Sequence, residues 1–468
     1  TLAPEMERRI GDLLEDPAQQ AAGRMALTRR LTIVTGGPGT GKTHTAARIL
    51  ALLSHTAGAG LRVRLAAPTG KAAARMGESI RQARETARDA FCEGLVIEPA
   101  CTVDRLLGFL PDSPYFRHTA RNPLDADVVI VDEASMVDLA KMAKLLDALA
   151  PHTRLVLLGD MHQLASVQPG SVLAELCESQ RLAPCVARLT VSRRFPPESA
   201  IGRLSQTIHA VRGTGDAETA WREVVAKPAA TAQGRVYAHR LPTLPSRKPD
   251  AASKELAQAI RTGYRDFLAA GTPGEAFRAL AGFRILCALR RGPYGAVEIN
   301  RLVEQVLAGE GAEADGKARP LQPQGEFYSH RVVIVTRNDY AIGLFNGDVG
   351  VVLPDSERGG ELSVFFPQEA DGVGGDAVGF RRVPCRLLPE HETAFAMTVH
   401  KSQGSEFGRV LVLLPDRDAP VLTRELLYTA ITRARDEVDL WCGEKIFAAA
   451  AARGVQRFGG LREQLEAS

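Results

Sequence analysis

Short, largely apolar runs punctuate the first third of the chain, at residues 31–35, 63–66, 128–131 and 155–158. They are rich in β-branched residues and lack polar alternation, which predicts strands buried on both faces, as in a parallel sheet. Between the last two runs, Leu139, Met142, Leu145, Leu146 and Leu149 recur at helical spacing. Strands alternating with helices predict crossover connections and an α/β domain. Residues 285–288 form another strand candidate, and residues 395–398, 410–414 and 438–442 return to the same α/β character. From about Gln322 to Leu388 the pattern changes. Short β-rich runs at 332–335, 349–353 and 362–366 lie between Asn346-Gly347, Gly359-Gly360 and Gly374-Gly375, which predicts a small antiparallel barrel. A looser stretch from about Gly213 to Asp250 carries Pro228, Pro242, Pro245 and Pro249, and reads as a connection or insertion within a second unit. We see no internal repeat.

The 468 residues predict two to four domains at about 100 to 200 residues each. With 45% apolar and 24% charged residues, the composition excludes global disorder and leaves material for sizeable cores. No window approaches the roughly eighteen unbroken apolar residues of a membrane-spanning helix, so no membrane role is expected. The chain starts Thr1-Leu2-Ala3-Pro4 without a basic-then-apolar leader, so no signal peptide is expected. The start without Met suggests that the natural N-terminus is missing. A net charge of +3, from 58 Lys and Arg against 55 Asp and Glu, decides little, because a basic channel can hide inside a near-neutral total. The seven scattered cysteines include no C-x-x-C pair. That excludes a zinc ribbon and a disulfide framework and fits a reducing cytoplasm.

Chemistry enters with Gly36-Gly37-Pro38-Gly39-Thr40-Gly41-Lys42-Thr43, which satisfies G-x-x-x-x-G-K-[ST]. It follows a predicted strand and opens a predicted helix, the context this motif requires. Glycines let backbone N–H groups curl round phosphate oxygens, and the helix N-terminus adds its positive end. Lys42 is expected to reach the β- and γ-phosphates of ATP, and the Thr43 hydroxyl to bind Mg²⁺. The run Val128-Val129-Ile130-Val131-Asp132-Glu133 supplies the other half of such a site. Its strand delivers Asp132 to the metal side and Glu133 to the attacking water as general base.

Further segments resemble superfamily 1 helicases, and as a set they resemble the alpha (RecD) chains of exodeoxyribonuclease V, the RecBCD complex. Ala67-Pro68-Thr69-Gly70-Lys71-Ala72-Ala73 looks like that family's first DNA-contact motif. Gly159-Asp160-Met161-His162-Gln163-Leu164-Ala165-Ser166-Val167 looks like its motif III, with Gln163 sensing the γ-phosphate. Ser192-Arg193-Arg194-Phe195 looks like motif IV, with Arg194 as the phosphate-binding arginine. Thr398-Val399-His400-Lys401-Ser402-Gln403-Gly404-Ser405-Glu406-Phe407 looks like motif V. Tyr428-Thr429-Ala430-Ile431-Thr432-Arg433-Ala434-Arg435 looks like motif VI, with Arg433 as arginine finger. Gln19 matches the glutamine that reads adenine.

The resemblance spans essentially the whole chain and implies an α/β protein of two RecA-like P-loop domains with parallel sheets and a small SH3-like β-barrel insertion. The implied boundaries are residues 1–190 for the first domain, with a pin near 108–124, then 191–321 and 389–468 for the second, with the barrel at 322–388. It implies an ATP- and Mg²⁺-dependent 5′-to-3′ motor that processes double-strand ends for recombinational repair, binding single-stranded DNA and duplex ends beside other RecBCD-type subunits. Thr69, Lys71, Thr102 and Arg105 would hold the strand on the first domain, and His400, Lys401, Ser402 and Gln403 on the second. These residue types suit phosphate contacts, which position without reading sequence. In Pro114-Tyr115-Phe116-Arg117-His118, which resembles the short pin that parts duplex ends, Phe116 could stack on a base or anchor the loop. Asp104 stands where the family usually has His, and the family's partner-docking N-terminal region is largely absent before Gln19. No carboxylate-Lys constellation suits a nuclease, so cutting would fall to a partner. A standalone helicase of the same branch is the nearer rival. A P-loop switch or small-molecule kinase, and a degenerate structural subunit, are opposed by motifs IV to VI and by the intact Lys42, Asp132, Glu133, Gln163 and Arg433.

Overall fold

The computed structural model describes residues 2–56, 60–86, 91, 95–110, 113–165, 171–196, 198–226, 234–244, 251–309, 320–339, 341–368, 379–455 and 460–467. Cys92, Ser166, Val167, Pro228, Pro245, Pro249 and the Gly374-Gly375 pair lie outside them. The chain divides into two compact units, Thr1–Pro196 with Gln456–Ser468, and Pro197–Val455.

Unit 1 is built on strands β1 (Leu31–Gly36), β2 (Arg62–Ala67), β3 (Val96–Ile97), β4 (Cys101–Thr102), β5 (Val128–Val131), β6 (Arg154–Gly159) and β7 (Val186–Leu189). Their order is β3-β2-β5-β6-β1-β7, with β4 also on β2. Every pairing is parallel. Helices α1 (Pro4–Leu13), α2 (Pro17–Thr28), α3 (Lys42–Ser54), α4 (Gly70–Thr86), α5 (Val103–Leu106), α6 (Leu139–Asp147) and α7 (Val172–Glu178) complete it. The two-residue period of a strand sends alternate side chains to opposite faces, and the two core layers follow it. Ile33, Val129 and Val131 pack with Met142 and Leu145, whereas Val34, Val128 and Ile130 pack with Ile49 and Leu50. Both faces of the central strands are therefore dry, which is why β1, β5 and β6 read as apolar runs, while β2 begins on the solvated Arg62 and the half-buried Arg64. Of the five apolar positions that predict α6, Met142 and Leu145 are core, while Leu139 is 37% and Leu146 51% exposed.

Unit 2 carries a second parallel sheet of order β15-β9-β16-β17-β8. Its strands are β8 (Arg235–His239), β9 (Phe283–Cys287), β15 (Ala396–Thr398), β16 (Phe407–Leu413) and β17 (Ala434–Trp441). Between β9 and β15 in sequence lies an antiparallel sheet of order β13-β12-β11-β10-β14. It is made of β10 (Val332–Val335), β11 (Val349–Pro354), β12 (Leu362–Gln368), β13 (Gly379–Pro384) and β14 (His391–Thr393). Both described glycine turns lie where expected. The Gly347 N–H donates to Val335 O at 2.9 Å between β10 and β11, and Gly359 and Gly360 between β11 and β12 have positive φ. Helices α8 (Ala200–Ala210), α9 (Thr214–Ala226), α10 (Ala251–Leu268), α11 (Pro273–Gly282), α12 (Ala296–Ala308), α13 (Arg424–Ile431) and α14 (Glu444–Ala452) surround the sheets.

Two expectations need correcting. The stretch from Gly213 to Asp250 is not a plain connection, since it contains α9 and the edge strand β8; Arg235, Tyr237 and His239 disguised β8, because an edge strand tolerates polar side chains. The C-terminal helix α15 (Leu461–Ala467) belongs to unit 1 rather than to the second domain. Glu175 Oε2 on α7 accepts from the Leu461 and Arg462 N–H groups at 3.1 and 3.3 Å. No helix among the described residues is long and apolar enough to cross a membrane.

The β8 edge holds a charge network with a pH consequence. His239 Nε2 lies 3.0 Å from the buried Asp439 Oδ1, and its Nδ1 lies 2.8 Å from Glu255. Arg409 Nε donates to Asp439 Oδ2 at 2.5 Å, and Trp441 stacks on the imidazole at 4.5 Å. Burial opposes the imidazolium, but Asp439 and Glu255 outweigh it and raise His239 above its ordinary value of 6.5. A raised folded value means that the stabilisation is full below about pH 6.5 and is lost as pH climbs through the higher folded value. Melting temperature measured across that window should fall with rising pH, and His239→Gln should flatten the dependence.

Candidate functional site

β1 ends at Gly36 and α3 begins at Lys42, so the glycine-rich turn is wedged between a buried strand and a helix N-terminus. Gly39 and Gly41 have φ of 76° and 84°, a conformation that glycine reaches without steric cost. The loop's amides and the positive end of α3 make an anion cradle. Thr45 N–H and its hydroxyl both donate to Gly41 O, at 2.8 and 2.9 Å. Lys42 Nζ donates to Gly36 O at 2.8 Å and Gly37 O at 3.1 Å. Thr40 Oγ1 donates to Gly37 O at 2.8 Å.

The segment after β7 clamps this loop. Ser192 Oγ donates to Pro38 O at 2.9 Å, and Arg193 N–H donates to Gly39 O at 2.9 Å. A Cβ on Gly39 would lie 2.3 Å from Arg194 Cβ. Arg194 therefore stands against the loop from within unit 1, not from the second domain as the sequence suggested. Gly39→Ala combines that collision with a φ that alanine resists, at a cost of about 1–3 kcal/mol. We expect a lower melting temperature and at least tenfold weaker binding of a fluorescent ATP analogue.

β5 is the sheet neighbour of β2 and β6, and it delivers Asp132 and Glu133 just past its last residue. Thr43 Oγ1 donates to Asp132 Oδ2 at 3.3 Å. A hydroxyl and a carboxylate side by side are the hard oxygen donors that Mg²⁺ takes alongside phosphate oxygens, so these residues fit the ion. Desolvation, then the neighbouring Glu133, pushes the Asp132 carboxyl up to about 6, against the Glu133 N–H, Lys42 and Thr43. Glu133 is one of two described non-glycine residues with positive φ, at 51°. Its N–H donates to Asp132 Oδ1 at 2.8 Å. A non-glycine residue held there stores strain, which clusters at functional sites.

Gln163 is buried in the turn after β6, and its N–H donates to Asp160 O at 3.2 Å. β6 pairs with β1 as far as Thr35 and Gly159, so this turn adjoins the glycine-rich loop. Gln19, buried on α2, has its amide 3.3 Å from where a Gly41 Cβ would stand. A cleft of about 270 Å³ opens beside it, lined by Glu15, Asp16, Pro17, Gln19, Thr40, Leu189, Val191 and Arg193.

Further along the same carboxyl edge lie the residues expected to touch DNA. Thr69 accepts from Ala72 N–H at 3.3 Å at the start of α4, and Lys71 is exposed. Thr102 pairs in register with Ala67. Its hydroxyl caps α5 by accepting from the exposed Arg105's N–H at 3.3 Å. Of the two readings open for Phe116, the loop anchor fits: the half-buried ring packs onto the core under Lys144 Nζ, 5.0 Å from the ring centroid. Tyr115, at 72% exposure, is the aromatic that faces solvent there; sequence alone could not say which of two adjacent rings points out. Asp104 is paired with Lys141 at 2.9 Å.

In unit 2, His400, Lys401 and Ser402 form one helical turn after β15. Lys401 Nζ lies 3.1 Å from Glu392. Ser402 is fully buried and its hydroxyl donates to Val399 O at 2.7 Å, so it shapes the turn and is not a surface contact; Gln403, also buried, closes it. Arg433 is 3% exposed. Its Nε donates to Thr429 O at 3.3 Å and its Nη1 to Ser405 O at 3.2 Å. Unit 2 thus folds the expected finger inward, onto its own helix and onto Ser405, just past the turn that carries His400 and Lys401.

A glycine-rich strand-to-helix loop beside an acidic strand end, on the carboxyl edge of a parallel sheet, defines a P-loop nucleotide-binding α/β protein. The RecBCD enzyme subunit RecD of Mycolicibacterium smegmatis is 42% identical over 469 residues, spanning 99% of this chain and 77% of that protein. That of Haemophilus influenzae is 33% identical over 503 residues, 96% of this chain and 72% of the other. The chain belongs to the RecD family of RecBCD enzyme subunits. The ATP-dependent RecD2 DNA helicase of Deinococcus radiodurans is 34% identical over 410 residues, 87% of this chain and 46% of that one. The AAA domain family matches residues 19–169, and the UvrD-like helicase C-terminal domain family matches residues 393–440. Among solved structures, Bacteroides Pif1 bound to ssDNA aligns with a TM-score of 0.45 at 16% identity, covering 92% of this chain and 93% of that one.

Proposed function

We propose that this chain is the ATP-driven 5′-to-3′ single-strand DNA motor of a RecBCD-type helicase-nuclease, processing double-strand ends for recombinational repair in the cytoplasm. The observation that carries the reading is the convergence at one sheet edge. The glycine-rich loop, the acid pair, Gln163 and Arg194 meet there, and Thr69, Lys71, Thr102 and Arg105 continue the same edge. Open parallel sheets bind ligands at their carboxyl ends. In this reading both parallel sheets are RecA-like domains, and the antiparallel sheet, which runs past the expected end at 388 to β14 at His391–Thr393, is an SH3-like insertion.

In the proposed reaction, residues 36–41 and Lys42 bind the phosphates of ATP, and Gln19 reads the adenine. Thr43 and Asp132 would hold Mg²⁺, which would supply charge neutralisation to the phosphates. Glu133 accepts the proton of the attacking water as its oxygen bonds to the γ-phosphorus and the bond to the β-phosphate bridge breaks. Gln163 and Arg194 contact the γ-phosphoryl group, and Arg433 offsets its developing charge once turned out from its backbone carbonyls. Hydrolysis then alternates the DNA grip between the two units, through Thr69, Lys71, Thr102 and Arg105 on one and His400 and Lys401 on the other. Such contacts go to the backbone, so binding is sequence-blind and salt-sensitive. The test is ATP turnover with and without oligo(dT): stimulation by the strand supports the reading, and turnover indifferent to DNA contradicts it.

A further inference from the structure

We propose that Lys141 is a single-strand phosphate contact of unit 1, and that Asp104 competes with the strand for it. The inference rests on the single-strand reading above. Its geometry comes from unit 1 alone.

Ala67 and Thr102 are partners across β2 and β4. Thr69 and Asp104 each lie two residues beyond that pair, so Asp104 leaves the sheet edge beside the first DNA-contact motif. Short helix α5, which carries Asp104, packs against β2. Opposite it, Lys141 Nζ lies 2.9 Å from Asp104 Oδ2, with side chains 28% and 33% exposed.

The position of Lys141 is unusual for a lysine. It sits in the first turn of α6, where its own N–H donates to the capping Asp138 Oδ1 at 2.8 Å. A cation there opposes the helix dipole, so the site gains from a nearby anion. Asp104 supplies one, and a DNA phosphate would supply another with the same charge-assisted geometry. Two other charged groups of α6 are bonded elsewhere. Lys144 Nζ donates to Pro114 O at 2.7 Å, and Asp147 Oδ2 accepts from Ala120 N–H at 3.1 Å. Each side chain of the Asp104–Lys141 pair is about one-third open to solvent, so the pair is reached from outside and partly screened, and a phosphate oxygen can take the place of the carboxylate.

The consequence is a grip that is limited by design. A stepping motor must release the strand from each unit once per cycle, and a carboxylate that recaptures Lys141 favours release. Asp104, an acidic residue beside an anionic ligand, then has a function and is not merely tolerated.

The test measures affinity of the full chain for fluorescent oligo(dT) over a series of salt concentrations. Asp104→Asn keeps the shape and frees Lys141. One added single-strand phosphate contact steepens the salt slope by about 0.7, which at about 0.1 M salt is roughly a fivefold gain in affinity. Lys141→Met should weaken binding, and in that background Asp104→Asn should leave the slope unchanged, because the contact it releases is gone. If Asp104→Asn gives the same gain with and without Lys141, Asp104 acts only as a local negative charge and the inference fails. If it changes melting temperature but not the slope, the pair is a structural strut and the inference fails too. A wild-type chain that does not bind oligo(dT) would instead overturn the single-strand reading itself. Lys71→Ala checks that reading separately, since it removes a proposed contact outside the pair.

Discussion

Lys42→Ala should abolish DNA-stimulated ATP hydrolysis while leaving the fold intact. In the proposed reaction the ammonium is the cation the loop brings to the β- and γ-phosphates, and such electrostatic terms are among the largest in phosphoryl transfer, so a loss of about a thousandfold is expected. Its contacts in the protein are two backbone carbonyls at a half-buried loop, so melting temperature should shift little. Glu133→Gln should give a comparable defect by another route. It retains the side chain's length and removes the proton acceptor, with a loss of about 10²- to 10⁴-fold. Glu133→Gly adds a sharper diagnosis. Because Glu133 holds a φ of 51°, glycine should stabilise the protein by about 1 kcal/mol while destroying turnover. Near-normal turnover in the Lys42 or Glu133 variants would remove the nucleotide site from this edge of the sheet.

Arg433→Ala should bind ATP but hydrolyse it about a thousandfold more slowly, because a finger acts chiefly on the transition state. The inward setting of Arg433, on Thr429 O and Ser405 O, makes a folding control necessary. Arg433→Lys keeps a cation while losing the planar fork. It should also be slow, with a melting temperature near that of the wild type. Binding of a fluorescent ATP analogue separates the possible roles. Normal ATP binding with slow hydrolysis is the expected outcome, whereas lost DNA binding with normal turnover would make Arg433 a phosphate anchor. Of the two carbonyls, Ser405 O ties Arg433 to the segment that follows the His400–Ser402 turn, and Thr429 O lies on its own helix α13.

Much of this was legible before any coordinates. Strands β1, β5 and β6 declare themselves because a sheet buried on both faces leaves little room for polar alternation, whereas β2 opens on Arg62-Val63-Arg64 and is apolar only from Leu65 on. The glycine-rich loop is legible because its chemistry demands its spacing. What stayed hidden depends on pairing across long sequence separations. β8 is an edge strand with Arg235, Tyr237 and His239, so it lacks an apolar signature. Ser192 and Arg193 carry no sign that they clamp Pro38 and Gly39, a contact spanning more than 150 residues. Asp104 read as a liability because its partner, Lys141, comes from another helix. Ser402 is buried although its motif lists it as a contact, and of the two readings open for Phe116 the structure takes the loop anchor, because a motif names residues without saying which side of a turn they face. The division between units fell just after Pro196, so Arg194 joined the first unit; helical sequence alone could not show that α15 returns to it.

The central claim is directional movement along one strand. The most direct measurement is displacement of streptavidin from oligonucleotides biotinylated at either the 3′ or the 5′ end, with ATP and Mg²⁺ present. A 5′-to-3′ motor runs into the 3′ end, so the account predicts ATP-dependent clearing of the 3′ streptavidin, absent in Lys42→Ala. Faster clearing of the 5′ end would contradict it.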